Sequence, residues 1–229
     1  MQTKAISKET VHTKIRINGS AENICVLYTG HGSYLAFRTG LGENVGISAG
    51  ALAALVEDLS RHKETLGFLL GYSDEEGVSF ARYSPAKMPL LRRRAMVSYH
   101  KKDYLEELER LRRRGFNAQA DLHNHPYEDD KRVPIKHSLL GLGIPFLLRH
   151  GLFGELEEEG RLSYRDRRSA EQEHYALKKR NIGYQRSFSG VLSTFYVKRL
   201  GSRVKILQLY GENGATHKPI GIEIDEAGA

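Results

Sequence analysis

The sequence predicts an α+β fold in which a mixed sheet is flanked by helices, and three observations support this prediction. Apolar runs of strand length and amphipathic stretches of helix length alternate along the 229 residues without the regular spacing of βαβ units. Two apolar runs, 64–72 and 78–83, flank an acidic turn that ends at Gly77, which is typical of a β-hairpin. Residues 101–114 place apolar side chains on one face of a helix.

The N-terminal part of the chain predicts short strands followed by a helix. Apolar runs separated by Gly, Ser and Asn turns predict three short strands, at 14–17, 24–28 and 34–38, and 45–47 is a further short apolar run. Ser48 is a good helix N-cap, because its hydroxyl can accept a hydrogen bond from a free backbone N–H. Leucine and valine then recur at helical spacing, and we expect this helix to end near residues 61–63.

After the first helix, the same rules predict further strands and two more helices. The predicted strands are 64–72, 78–83, 94–99, 116–123, 145–148, 161–164, 191–198 and 204–209. The predicted helices are 101–114, which Gly115 ends, and 170–180. The last two strands form a hairpin around Gly201 and Ser202.

Composition restricts the setting and the partners of the protein. Cys25 is the only cysteine, which excludes an internal disulfide and a cysteine zinc cluster. No apolar run approaches the ~20 residues that span a bilayer, and the N-terminus lacks the apolar core of a signal peptide, so we expect a cytoplasmic protein without a membrane span. The net charge is +7, and the basic residues cluster in 92–114 and 161–205. Such clusters can bind an acidic protein or nucleic acid, or can form a solvated basic surface without a specific partner.

Asp121-Leu-His-Asn-His-Pro126 is the most informative string in the sequence. Residues i and i+2 of an extended segment point to the same side, so His123 and His125 can direct both imidazoles to one point. Neutral imidazole is a common zinc ligand, and a catalytic zinc needs about three protein ligands. A zinc hydrolase also needs a carboxylate to accept a proton, and Glu64, at a junction of helix and strand, is a candidate.

These residues together resemble the MPN domain in its JAMM metalloprotease form. That family has a Glu-x-x-Gly-x-Leu-x-Gly strand after its first helix, which residues 64–71 match, and a His-x-His-Pro fifty to sixty residues later. Glu64 and His123 are 59 residues apart. The resemblance covers about residues 45–165. It leaves an N-terminal strand extension, 1–44, and a C-terminal helix-hairpin extension, 166–229, which we expect to pack on the same domain.

The resemblance implies a zinc-dependent peptidase. In this interpretation His123 and His125 bind Zn²⁺, and Glu64 is the general base for attack on an amide carbonyl, often the isopeptide bond of a ubiquitin-like modifier. The partner would then be an acidic protein or such a modifier.

The third zinc ligand does not follow the family pattern. The family places a Ser-x-x-Asp after the second histidine, with the aspartate eleven residues beyond it, and these positions are Val133 and Lys136 here. Substitutes nearby are Asp129, Asp130 or His137 for the ligand and Ser138 for the hydroxyl. The protein is therefore expected to be either an active peptidase or a non-catalytic relative.

A second resemblance gives an alternative function. Residues 69–77 are similar to the core motif of LAGLIDADG homing endonucleases, in which Glu76 would bind Mg²⁺ over double-stranded DNA. The basic charge also suits nucleic acid. The two interpretations differ at residues 64–77: the endonuclease requires a continuous helix there, and the MPN domain requires a strand and a turn.

Overall fold

The computed structural model describes most of the chain and has an α+β architecture. The described residues are 11–17, 20–30, 32–40, 44–60, 64–88, 91–93, 96–125, 143–197, 200–211 and 219–225. Among them, no helix is both long and apolar enough to cross a membrane.

Twelve strands and five α-helices make up the described part. The strands are β1 (Val11–Ile17), β2 (Ser20–Gly30), β3 (Ser33–Thr39), β4 (Asn44–Ser48), β5 (Leu66–Ser73), β6 (Val78–Pro85), β7 (Leu91–Arg93), β8 (Met96–Ser98), β9 (Ala118–His125), β10 (Arg186–Val197), β11 (Ser202–Tyr210) and β12 (Gly221–Asp225). The helices are α1 (Ala49–Leu59), α2 (Lys101–Arg112), α3 (Gly143–Leu147), α4 (Phe153–Glu159) and α5 (Tyr164–Lys179). A kinked helical segment, Leu148–Leu152, joins α3 to α4.

Ten of the strands form one mixed sheet, in the order β1-β2-β3-β11-β10-β9-β5-β6-β4-β12. Strand β9 lies inside this sheet, parallel to β10 and antiparallel to β5. The segments that the sequence analysis treated as terminal extensions contribute to the same sheet, since β10 and β11 join β9 to β3. The predicted pairing of β10 with β11 is present and antiparallel.

The two faces of the sheet are covered by different helices. Successive residues of a strand point to opposite faces, and on β5 the side chain of Leu69 packs with α1, whereas Phe68 and Leu70 pack with α2 and the end of α5. The helices α3 and α4 cover β2, β3, β10 and β11 through a third apolar cluster that includes Phe153 and Ile206. The helix α5 therefore lies on the face of the sheet that also carries α2.

The predicted hairpin at residues 64–83 is confirmed. Strand β5 pairs antiparallel with β6, and the turn is closed by Asp74, whose backbone N–H donates to the carbonyl of Gly77 and whose carboxylate accepts from the N–H groups of Glu76 and Gly77. As expected, β5 also lies beside the strand that carries His123. The continuous helix that the homing-endonuclease alternative requires over residues 64–77 is absent, which contradicts that alternative.

The glycine at position 67 has a packing reason. A Cβ atom on Gly67 would lie 1.9 Å from the hydroxyl oxygen of Tyr83, which no real contact allows. The Tyr83 hydroxyl occupies this space while it donates a 2.8 Å hydrogen bond to the buried carboxylate of Asp58 on α1. Part of the predicted Glu-x-x-Gly motif is thus explained by the packing of α1 on the sheet.

Two expectations about elements were wrong. Residues 145–148 were expected to be a strand but belong to a helical segment, because a proline in the first turn of a helix lacks only an N–H that would have no partner there. Residues 161–164 were also expected to be a strand, whereas Ser163 is the N-cap of α5, which begins earlier than the predicted residue 170. The expected strand 94–99 is confirmed at Met96–Ser98, which form β8 and pair with β7.

Candidate metal centre

The two histidines of β9 lie on one side of the strand, as predicted. The Nε2 atoms of His123 and His125 are 3.2 Å apart, and each side chain is only partly exposed, by 14% and 29%. Both rings line a cavity of about 630 Å³ at the end of β9. The extended backbone of the strand therefore brings two imidazole nitrogens to a common point.

A carboxylate from α5 joins the two imidazoles. Asp166 occupies the third position of α5 and forms a reciprocal cap with Ser163: its backbone N–H donates to the Ser163 hydroxyl, and its Oδ2 accepts from the Ser163 N–H at 2.8 Å. The same Oδ2 lies 3.8 Å from Nε2 of His123 and 3.6 Å from Nε2 of His125. The first turn of α5 thus holds Asp166 against the histidines.

The separations within this triad suit a shared metal ion. The two distances from Asp166 are longer than a direct hydrogen bond. A tetrahedral zinc with ligand bonds of about 2.0–2.2 Å holds its ligand atoms roughly 3.3–3.6 Å apart, and the three separations here are 3.2, 3.6 and 3.8 Å. His123, His125 and Asp166 therefore form a group that can hold a metal ion.

Glu64 lines the same cavity as the triad. Its side chain is buried, with 8% of the residue exposed. The chain directly after it is fixed to β9: the Thr65 N–H donates to Oδ1 of Asn124 at 2.6 Å, and the Asn124 N–H donates to the Thr65 carbonyl at 3.3 Å. Asn124 separates the two histidines in sequence, so these bonds connect the backbone next to Glu64 with the backbone between the two imidazoles.

The protonation of the triad is set by burial and by its own charges. Burial lowers the pKa of His123 to about 4, the charge of Asp166 opposes this shift, and His125 adds to it. Burial alone would raise the pKa of Asp166, but the contact with His125, the charge of His123 and the bonds from Ser163 outweigh it and hold this pKa well below its ordinary value. At neutral pH the triad therefore contains a carboxylate and a neutral His123, which are forms that bind metal.

Two further carboxyl groups lie deeper in the cavity. Asp121 accepts a 3.0 Å hydrogen bond from the Ser189 hydroxyl, and burial raises its pKa to about 6. Glu173 of α5 accepts from the Tyr99 hydroxyl, and burial together with the charge of Asp121 raises its pKa to about 8. The wall behind the triad is thus a buried network of carboxyl and hydroxyl groups.

The structure brings together some of the predicted site residues and adds two that the sequence analysis missed. His123, His125 and Glu64 line one cavity, whereas the candidates Asp129, Asp130, His137 and Ser138 lie outside the described residues. Glu76, the candidate of the alternative function, is in the exposed turn before β6. The added residues, Ser163 and Asp166, form a Ser-x-x-Asp sequence that is visible in the chain 38 residues after His125.

Comparisons with known proteins do not assign the chain to a family. No protein-family model matches it. No curated protein matches it either.

Proposed function

We propose that the protein is a zinc-dependent peptidase or isopeptidase of the JAMM type, with the metal on His123, His125 and Asp166 and with Glu64 as general base. The observation that carries this proposal is the convergence of three ligand atoms, 3.2–3.8 Å apart, in the wall of a cavity that Glu64 also lines. Asp166 replaces the ligands suggested from the sequence near residues 129–137.

The donor set favours a catalytic metal over a structural one. Among the residues that the structure describes, two imidazoles and one carboxylate are three protein ligands. Structural zinc sites use four, whereas catalytic sites keep one position for water or substrate. When bound, zinc would act as a Lewis acid and lower the pKa of a coordinated water to ~7. The cavity next to the triad provides the space that a substrate needs at the open position.

The remaining chemistry belongs to side chains of the chain itself. Glu64 is buried in the cavity wall, and its carboxylate can accept a proton from the attacking water and pass it to the leaving amine. Ser163 also lines the cavity. Its hydroxyl accepts from the Asp166 N–H and can donate at the same time, so it is suited to stabilise negative charge on the carbonyl oxygen of the substrate.

The order of these residues supports the JAMM resemblance. Glu64, His-x-His and Ser-x-x-Asp follow one another as in that family, but the aspartate is 41 residues after His125 instead of eleven. The longer connection includes α3 and α4, which pack on β2, β3, β10 and β11.

The substrate that suits this proposal is an amide of a protein, in particular the isopeptide bond of a ubiquitin-like modifier. The outer face of α5, which begins at the cavity, carries Tyr164 and Tyr175, 74% and 67% exposed, with the exposed basic residues Arg168 and Lys179 on the same side. Tyrosine and arginine are enriched at protein interfaces. An acidic protein seated on this face would present a neighbouring segment to the metal centre.

The test combines metal binding with cleavage. Purified protein should bind one zinc per chain and cleave ubiquitin-like isopeptide dimers. Glu64→Gln should keep the zinc and lose about 10²–10⁴ in rate, because proton transfer depends on the carboxylate. Asp166→Asn should lose zinc affinity as well. The matched control is Glu76→Gln, an exposed glutamate outside the cavity, which should change neither property.

Two results would contradict the proposal. Failure to bind zinc would exclude the metal centre. Tight zinc with no cleavage of any isopeptide or peptide substrate, in the wild type and in Glu64→Gln alike, would make the protein a non-catalytic relative with a structural metal.

A further inference from the structure

Ser193 on β10 contacts two separate parts of the proposed metal centre. Its hydroxyl is buried, with 2% of the residue exposed, and donates a 2.7 Å hydrogen bond to the carbonyl of Gly160. The same oxygen lies 3.4 Å from Nδ1 of His125. One side chain thus touches both a ligand from β9 and the loop that leads to Asp166.

The hydroxyl bond to Gly160 determines the contact with His125. A serine hydroxyl has one proton and a backbone carbonyl can only accept, so the proton of Ser193 is used at Gly160. Toward His125 the Ser193 oxygen can then only accept, so it can bond to Nδ1 when that nitrogen carries the ring proton, as it would with a metal ion on Nε2. Nε2 of His125 faces Nε2 of His123 and Oδ2 of Asp166, at 3.2 and 3.6 Å, where the metal ion would bind.

Gly160 is held closely on β10. A Cβ atom at this position would lie 2.7 Å from Cβ and 2.9 Å from Oγ of Ser193, so the backbone approaches as near as a glycine allows. The preceding turn is fixed as well, since Nε2 of Gln208 donates to the Glu157 carbonyl at 2.6 Å and the Gly160 N–H donates to the Leu156 carbonyl at 2.9 Å. Ser163 and Asp166 follow Gly160 within six residues.

We propose that Ser193 is a positioning residue that orients the ring of His125 for metal binding by accepting from its Nδ1–H and that holds, through Gly160, the place of Asp166 relative to the histidines. This inference rests on the proposed metal centre. Hydrogen bonds to the distal nitrogen of a ligating histidine orient the ring, and their loss typically costs about 10–100-fold in metal affinity. Ser193 does this for His125 while it anchors the loop of a second ligand.

The first test uses the zinc-loaded protein and does not depend on enzyme activity. With zinc on Nε2, the ring proton of His125 is on Nδ1, and NMR of nitrogen-15-labelled histidine detects this proton only when its exchange with water is slow. We expect an observable Nδ1–H signal of His125 in the wild type, where Ser193 accepts from it, and loss of this signal in Ser193→Ala. Ser193→Thr, which keeps a hydroxyl, should retain the wild-type pattern. The control is Ser189→Ala, a serine of the same strand that bonds to Asp121 and should leave His125 unchanged.

The second measurement is zinc affinity by competition with a chelator, on variants whose backbone spectra match the wild type. Ser193→Ala should bind zinc about 10–100-fold more weakly, and Ser193→Thr should restore most of the loss. An Nδ1–H signal that persists in Ser193→Ala, or an unchanged zinc affinity of this variant, would overturn the inference. If instead both effects appear but no peptide or isopeptide substrate is cleaved, the proposed function fails while the role of Ser193 at the metal centre stands. If Ser193→Ala does not fold, Ser193→Cys, which has nearly the same volume and a weaker acceptor, is measured in its place.

Discussion

The ion pair between Arg38 and Glu157 gives a quantitative prediction about stability. Arg38 of β3 donates two hydrogen bonds, each 2.5 Å long, to the two carboxylate oxygens of Glu157 on α4. The side chains are only 14% and 11% exposed. This bidentate pair fastens α4, and with it the approach to Gly160, to the N-terminal strands. We therefore expect Arg38→Met to destabilise the protein strongly.

The expected magnitude follows from burial and bond number. Hydrogen bonds to charged groups contribute about 1.5–3 kcal/mol each, and removal of one partner from a buried pair typically costs about 3–5 kcal/mol because a charge is left without its counterion. We expect Arg38→Met and Glu157→Leu each to lower the free energy of unfolding by about 3–5 kcal/mol. The double variant should lose much less than the sum, because it removes both charges of this pair together.

Urea unfolding of the metal-free protein, followed by circular dichroism, measures these differences. The matched control is the pair of Arg113 and Glu109, whose shortest separation of 2.6 Å is almost the same but whose side chains are 77% and 45% exposed. Arg113→Met should cost less than about 1 kcal/mol. Equal effects at the buried and the exposed pair, or additive effects in the buried double variant, would refute the argument from burial.

Further predictions concern the pKa of His123 and the packing of two glycines. In the metal-free protein, NMR titration should give His123 a pKa near 4, and Asp166→Asn should lower it further because a neighbouring negative charge is removed. In the unfolded chain His123 keeps the ordinary pKa of 6.5, so the unfolded state binds its proton more readily. The free energy of unfolding should therefore decrease as the pH falls from 6.5 to 4, by about 3 kcal/mol at the lower end. A measured pKa of 6.5 for His123 would remove this dependence. Gly67→Ala should lower the melting temperature, since its Cβ would meet a tyrosine hydroxyl at 1.9 Å, whereas Gly50→Ala, with open space around it in α1, should leave stability equal or raise it by up to about 1 kcal/mol. Equal melting temperatures of the two glycine variants would contradict the packing reason given for Gly67.

Local patterns in the sequence predicted most strands and the first ligands. The alternation that puts His123 and His125 on one side of β9 is a property of any extended chain, and the Gly-ended turn fixed the hairpin beside it. Helix α1 could be placed because the hydroxyl of Ser48 accepts from the Ala51 N–H, as a good N-cap does. These features depend on neighbours within a few residues.

The third ligand was missed because its position depends on the packing of distant segments. Asp166 reaches the histidines only after α3 and α4 have packed on the sheet and brought the start of α5 to the end of β9. A local signal was nevertheless present, since Ser163 and Asp166 have the spacing of a capping box. The pattern of residues 161–164 nevertheless predicts a strand, because a short stretch at a helix start can show the same alternation as an extended one.

The position of β10 and β11 in the sheet has a consequence for synthesis on the ribosome. These strands come late in the chain but lie in the middle of the sheet, between β3 and β9. Until residue 210 has left the exit tunnel, β1–β3 and the group of β4, β5, β6 and β9 each have an edge without its final neighbour. At about 5–20 residues per second, these edges stay open for seconds in the nascent chain. The protein should therefore depend on chaperone binding before release more than a fold whose early strands close on themselves.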